Sequence, residues 1–309
     1  FVEPNFRSSH NQPTPTGAGI IFALVYIVLL FFLILLEELN SIFLVTALSI
    51  GAISATLFGF YDDLYSASTR SKLILQILLG LWVLFIFGNN IFIYLEENFG
   101  VLTWISFIFV FFLLVWFSNA INFMDGINGM LGSSTILIMF SASLLTFLAG
   151  GYFENIVLCL LLTSVTAPFL LFNFPRASIF MGDSGSLFIG YIISSLMIKS
   201  VIDGDLSFWT WAILLGHVFI EPSITTILRM KLTRAWYEPH RSCAYQNLSR
   251  KLSSHKKVTT GAVLFHIIWL LPLATFSLYF DALGLVIYFF SILPIVIFTV
   301  KYGPLYSSK

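Results

Sequence analysis

Apolar runs of roughly twenty residues recur ten times along this chain of 309 residues. A run of that length crosses a hydrocarbon layer of about 30 Å as a helix, and only helices or closed barrels satisfy their backbone there. The runs cover 18–36, 41–60, 73–94, 101–118, 131–149, 155–172, 187–199, 207–228, 261–280 and 282–300. Composition agrees: 58% of residues are hydrophobic and 10% charged, against about 25% charged in soluble domains. The expected fold is all-α, a polytopic membrane protein of about ten transmembrane helices. It forms one integral domain over residues 1–309, with a single long loop at 229–260. No internal repeat or cleavable leader is visible, and Cys159 and Cys243 support no disulfide framework.

Charge divides the connecting segments. One side holds the N-terminal segment, three acid-bearing strings, the long loop and the C-terminus. It carries fourteen of the fifteen Lys and Arg, Lys199 being the exception. The other side carries Glu37, Glu38, Glu96, Glu97, Glu154, Asp203, Asp205 and Asp281. The basic side is expected to face the cytoplasm, with both termini inside. The net charge of +0 says nothing about partners.

The three strings are YDDLYS (61–66), NFMDGINGM (122–130) and FMGDSGS (180–186). Two crossings separate each from the next, so all three should emerge on one face. Carboxylates are costly near a bilayer, which makes each a candidate for function. Asp183 lies in a Gly/Ser turn at the start of a span; it suits an oxygen ligand for a hard cation, and equally a helix cap. Asn122, Asp125 and Asn128 are spaced by three; on a helix they would form one polar stripe able to bind a nucleotide or sugar. The alternative is a polar connecting turn, favoured by Gly126 and Gly129. Asp62 and Asp63 would point about 100° apart on a helix and need not share a role. One could ligate metal or act as base or nucleophile, or both could be solvated loop acids.

The long loop contains RAWYEPHRSCAYQ (234–246), then Arg250, Lys251, His255, Lys256 and Lys257. The basic tail alone reads as a contact for anionic headgroups. The core with Trp236, Tyr237, His240, Arg241 and Tyr245 reads as facing a substrate, since Arg fits phosphate bidentately. His217 and Glu221, followed by Pro222, read as buried partners at a helix break, and His266 as structural.

RSSHNQPTPTGAG (7–19), YDD, NFMDGINGM, FMGDSGS and HRSCAYQ together, in this order, resemble the polyprenyl-phosphate N-acetylhexosamine-1-phosphate transferases, glycosyltransferase family 4. That family includes phospho-MurNAc-pentapeptide transferase and the GlcNAc-1-phosphate transferases that start O-antigen and teichoic acid synthesis. The HRSCAYQ form is most similar to the branch that starts O-antigen and other surface polysaccharides. The resemblance implies transfer of a sugar-1-phosphate, of an N-acetylated hexosamine or deoxyhexosamine, from a UDP-sugar to undecaprenyl phosphate. UMP would leave, with Mg²⁺ as cofactor and Mn²⁺ as its alternative. It implies Asp183 as metal ligand, Asp62 and Asp63 as catalytic groups, and Asn122, Asp125, Asn128, His240 and Arg241 as substrate-binding. The expected location is a bacterial inner membrane, with membrane lipid as surroundings and no nucleic acid partner; a homodimer stays open. The family usually has eleven spans, so a first helix is expected to be missing here. Many members of this branch carry His at the Cys243 position and a basic residue at Thr16. Two rival readings remain: a secondary transporter of an anionic metabolite, disfavoured by acids at one face and no repeat, and an inactive homologue.

Overall fold

The computed structural model describes residues 14–39, 41–238 and 240–307. The described residues are almost wholly helical: α1 (Ala18–Leu35), α2 (Ile42–Tyr65), α3 (Thr69–Phe99), α4 (Thr103–Phe123), α5 (Met130–Leu148), α6 (Phe153–Asn173), α7 (Gly182–Ile202), α8 (Phe208–Leu214), α9 (Gly216–Leu232), α10 (Ala244–Leu252), α11 (His255–Phe265), α12 (Leu271–Tyr279), α13 (Gly284–Tyr302) and α14 (Pro304–Ser307). A π turn, His266–Leu270, joins α11 to α12.

Eight helical stretches are long and apolar enough to cross a membrane, and a ninth is the bent pair α8–α9. One of the eight, Thr69–Phe123, has 55 residues. Straight, it would measure roughly 80 Å, far beyond a bilayer. It folds back at Gly100, whose φ is 50°. The Phe92 and Trp104 rings lie 4.9 Å apart, and the Asn119 amide donates to Gln76 Oε1 at 2.6 Å. Those pairs sum to nearly the same residue number, the mark of an antiparallel hairpin. It therefore makes two crossings, and the described residues hold ten, as the apolar runs imply.

α7 is the central post: 89% of its apolar window is buried, against 11% for the α3–α4 hairpin. Small residues let neighbours approach it closely, the usual device where lipid supplies no hydrophobic drive between helices. A Cβ at Gly19 would come within 2.1 Å of the Gly185 backbone nitrogen, and one at Gly59 within 2.4 Å of the Asp183 carbonyl. α1 and α2 thus seat directly on the first turn of α7. Ahead of α1 the Phe180 N–H donates to the Pro15 carbonyl at 2.8 Å, and in its first turn the Gly19 N–H donates to the Met181 carbonyl at 3.1 Å. The TPTGAG end of the first motif therefore braces the loop entering α7; residues 7–13 of that motif lie outside the described residues.

Boundaries differ from the hydropathy reading where polar residues sit on helices. α7 starts at Gly182 rather than near 187, so Asp183 lies in its first turn. α2 runs to Tyr65, placing Asp62 and Asp63 in its last turn. The loop expected at 229–260 is helical at both ends, since α9 reaches Leu232 and α11 starts at His255. The 75° bend of the eighth span falls at Leu215, not beside Pro222.

Candidate active site

The three acid-bearing strings meet at one end of the bundle, around the start of α7. Asp62 and Asp63 follow one another on α2 and face different partners. The Asp63 carboxylate accepts the backbone N–H of Asp183 at 2.8 Å, and the N–H and hydroxyl of Ser184 at 3.3 and 3.0 Å. A carboxylate there satisfies orphan amides and opposes the positive end of the helix dipole. Gly182 makes the approach feasible: its φ is 74°, and a Cβ there would lie 2.3 Å from Asp63 Oδ2. Asp63 is thus tied to the backbone; the catalytic part that the resemblance implies for it would act from that position.

Asp62 turns the other way. Its Oδ1 accepts the Ala67 N–H at 2.7 Å, and its Oδ2 pairs with the Lys72 ammonium. The same ammonium lies 2.9 Å from Asp183 Oδ2. Asn122, at the end of α4, donates to Asp183 Oδ1 and to the Ser186 hydroxyl, both at 2.8 Å. Two carboxylates from separate spans therefore converge on one cation, with an amide fixing the second. Side-chain exposure is 3% for Asp62, 28% for Asp183 and 34% for Lys72. Water reaches Asp183 and Lys72 and barely reaches Asp62.

Asn122, Asp125 and Asn128 do not form the helical stripe that their spacing permits. α4 ends at Phe123, and 124–129 is a turn closed by Gly129 at φ 74°. Gly126 and Gly129 break the helix, so each polar residue takes its own direction. Asp125 is near enough to Asp183 and Asp63 to feel their charge; burial first, then those two acids, hold its carboxyl well above the usual carboxylate range. The Asn128 side-chain amide donates to the Pro175 carbonyl at 3.4 Å, while its backbone N–H donates to His255 Nδ1 at 3.3 Å and its carbonyl accepts the Thr259 hydroxyl at 2.8 Å.

The HRSCAYQ segment clamps this turn. The Tyr245 hydroxyl donates to the Phe123 carbonyl at 2.6 Å and accepts the Gly126 N–H at 3.0 Å. Burial, then nearby Cys243 and Glu221, push its phenol pKa up, so it remains a donor. Glu221 Oε1 accepts the Ala244 N–H at 2.5 Å and starts α10. The His240 ring packs 5.3 Å from the Phe123 ring, and burial followed by Arg229 pulls its pKa down to about 4. Arg241 is exposed. His240 and Arg241 line a basic cavity whose lining includes neither Asp62 nor Asp183. Cys243 is buried, so the residue that departs from the motif points into the fold.

Sequence reasoning missed Lys72, Ser184 and Ser186. Lys72 read as one more basic residue on the positive side. Its partner Asp183 is 111 positions away, so no local spacing could have found it. His266, expected as structural, meets the Ser141 hydroxyl at 3.1 Å, and His217 meets that of Ser134 at 2.9 Å.

The residues present suit a hard divalent cation. The donors are oxygens, two carboxylates already share one cation, and Asp183 is open to solvent. Among the described residues no group of three or more His, Cys, Asp or Glu forms a full protein cage. Mg²⁺ needs none, because it takes one or two carboxylates and completes its shell with water and phosphate.

Comparison with known proteins covers the same stretch of chain. The model of the family described as Glycosyl transferase family 4 matches residues 45–201, the block that holds the whole acid cluster. The chain is 32% identical over 154 residues to a probable undecaprenyl-phosphate N-acetylglucosaminyl 1-phosphate transferase of Bacillus subtilis, covering 49% of this chain and 42% of that protein. It is 28% identical over 287 residues to the undecaprenyl-phosphate alpha-N-acetylglucosaminyl 1-phosphate transferase of Thermotoga maritima, covering 91% of this chain and 80% of that one. It is 29% identical over 236 residues to a phospho-N-acetylmuramoyl-pentapeptide-transferase of Staphylococcus aureus, covering 70% of each. The chain therefore spans less than half of the first relative and most of the other two.

Proposed function

Because this chain belongs to glycosyl transferase family 4, we propose that it transfers a sugar-1-phosphate from a UDP-sugar to undecaprenyl phosphate, releasing UMP. The observation that carries this reading is the Asp62–Lys72–Asp183 arrangement at one end of the bundle. It offers fixed charges of both signs where a soluble anion and a lipid phosphate can meet.

In the reaction an oxygen of the lipid phosphate attacks the sugar-bearing phosphorus. The bond from that phosphorus to the bridging oxygen breaks, and UMP departs. Lys72 would turn from the carboxylates toward the phosphates and stabilise the charge that builds on them. That movement would uncover Asp62 to take or hold the proton of the lipid phosphate. Asp63 would hold the first turn of α7, and Asn122 would aim Asp183. Asp125, with His240 and Arg241, would bind nucleotide, sugar or phosphate. Asp183, with Asp62 beside it, would hold Mg²⁺, which when bound would neutralise the diphosphate and the leaving UMP. The site would face the cytoplasm of a bacterial inner membrane, where UDP-sugars are found, and HRSCAYQ points to the initiation of O-antigen or another surface polysaccharide.

The test is UMP release by the purified chain with undecaprenyl phosphate and a panel of UDP-sugars. One UDP-sugar is expected to yield UMP and lipid-linked sugar in equal amounts. Folded protein silent with every donor would overturn the reading. Single cysteines at Ser66 and Ser178, in a background lacking Cys159 and Cys243, should resist an impermeant thiol reagent in intact cells.

A further inference from the structure

A mostly apolar cavity of about 300 Å³ lies among α9, α10, α11 and α13. None of Asp62, Lys72, Asp183, His240 and Arg241 lines it, so it is separate from the charged cluster and from the basic cavity. Met130, Leu248, Phe265, Ile295 and Phe298 supply much of its wall. Two polar side chains interrupt that wall. His217 and Glu221 stand four apart on α9 and so share one face of it. They are 8% and 3% exposed. His217 Nε2 meets the Ser134 hydroxyl, and Glu221 Oε1 accepts the Ala244 N–H. Their other polar atoms, His217 Nδ1 and Glu221 Oε2, have no partner among the described residues. Buried polar atoms left so are costly, and small-molecule sites are built this way, with apolar walls and a few convergent polar groups.

The cavity is reachable from lipid. The stretch His255–Tyr279 has only 22% of its apolar window buried, so it faces the bilayer. Within it Gly261 is exposed and lines the cavity, and a Cβ there would meet nothing within 4 Å. That gap in the side-chain cover of α11 leaves an alkyl chain a way in from the membrane. Charge limits the head that such a chain can carry. A carboxylate at Glu221 repels an anion. Lys257, in the first turn of α11, repels a cation, and it forms no ion pair among the described residues. The apolar wall penalises either charge. A neutral hydroxyl suits both unpartnered atoms. It donates to Glu221 Oε2 and accepts from His217 Nδ1, in the tautomer whose Nε2 accepts from Ser134.

We propose that this cavity binds a neutral single-chain amphiphile of the long-chain alcohol class, with its chain along Met130, Phe265 and Phe298 and its hydroxyl between His217 and Glu221. The site does not depend on the transferase reading, because its readout is labelling. The full chain in phosphatidylcholine discs would be irradiated with a diazirine-bearing octanol, and the labelled peptides mapped by mass spectrometry. Label is expected on the α11 and α13 peptides that carry Phe265 and Phe298, and excess 1-octanol should remove it. Octanoate and octylamine should compete about tenfold more weakly, and His217→Leu should weaken competition by 1-octanol to the same degree, the scale of one mispaired buried polar group. Gly261→Leu should fill the opening and abolish the label. Should His217→Leu not fold, Gly261→Leu keeps the test, because its added side chain enters open space. Label spread over the lipid-facing α3–α4 hairpin and not displaced by 1-octanol would overturn the proposal. Octanoate or octylamine competing as well as 1-octanol would also overturn it, as would unchanged label in Gly261→Leu. Displacement of the label by undecaprenyl phosphate would overturn it too, since the cavity would then be part of the acceptor site.

Discussion

Asp63 on α2 accepts the backbone N–H of Asp183 on α7 at 2.8 Å, so an acid from one span anchors the turn that carries another. Its neighbour Asp62 meets Lys72 and has no part in that anchor. Adjacent acids therefore separate into a positioning residue and a residue of the charged cluster. Asp63→Ala should cost about 1–2 kcal/mol, the range for a lost helix cap, and lower Tm together with activity. Asp62→Asn retains an oxygen for the Ala67 N–H, so it should keep Tm near wild type while UMP release disappears. Equal Tm losses in the two variants would refute the division.

Lys72 links two carboxylates from different spans. Lys72→Met should lower kcat/KM by about 10²–10³, the cost of removing one preorganised donor at a phosphoryl centre. Folding should survive, since Asn122 still holds Asp183. A Lys72→Met enzyme with near-normal kcat/KM would place the reacting phosphates elsewhere.

Asp125 is half-buried and feels the charge of two acids, and its folded pKa is raised. The folded state therefore keeps a proton that the unfolded chain releases near pH 4. Its contribution to stability is present at low pH and is lost as pH rises toward the folded value. Asp125→Asn should raise Tm more at pH 8 than at pH 5 while reducing activity. A Tm gain that does not change with pH would show that Asp125 does not titrate in this way.

His240 shifts in the opposite direction, to about 4. Between its unfolded value near 6.5 and about 4, the unfolded chain takes up a proton that the folded chain refuses, so stability falls as pH falls through that window. His240→Asn should flatten Tm against pH between 6.5 and 4. Above pH 6 the ring is neutral, so no activity step near 6.5 should trace to it; a step abolished by His240→Asn would contradict this.

Tyr245 holds the turn between Phe123 and Gly126 by two hydrogen bonds. Tyr245→Phe leaves both backbone groups without that partner and should cost about 1–3 kcal/mol. Because the turn also carries Asp125, KM for the UDP-sugar should rise more than kcat falls. Unchanged KM with lowered Tm would confine Tyr245 to stability.

The ten crossings of the described residues, and the emergence of the three acid strings at one end, were readable from the chain alone. A hydrocarbon layer demands about twenty apolar residues per helix, and parity of crossings then determines the face. Such patterns are local and survive without a partner. Hydropathy could not see that Asp62, Asp63 and Asp183 lie on helices, because polar end turns lower the average that marks a span. Nor could spacing decide the fate of Asn122, Asp125 and Asn128, which Gly126 and Gly129 turn out of register. Lys72 entered the site only through packing. Its bond to Asp183 spans 111 positions and joins the first turn of α3 to the first turn of α7, the same turn against which Gly19 and Gly59 let α1 and α2 sit. The motifs supplied the chemistry of the residues, while close helix approach decided which carboxylate meets an ammonium and which meets a backbone amide.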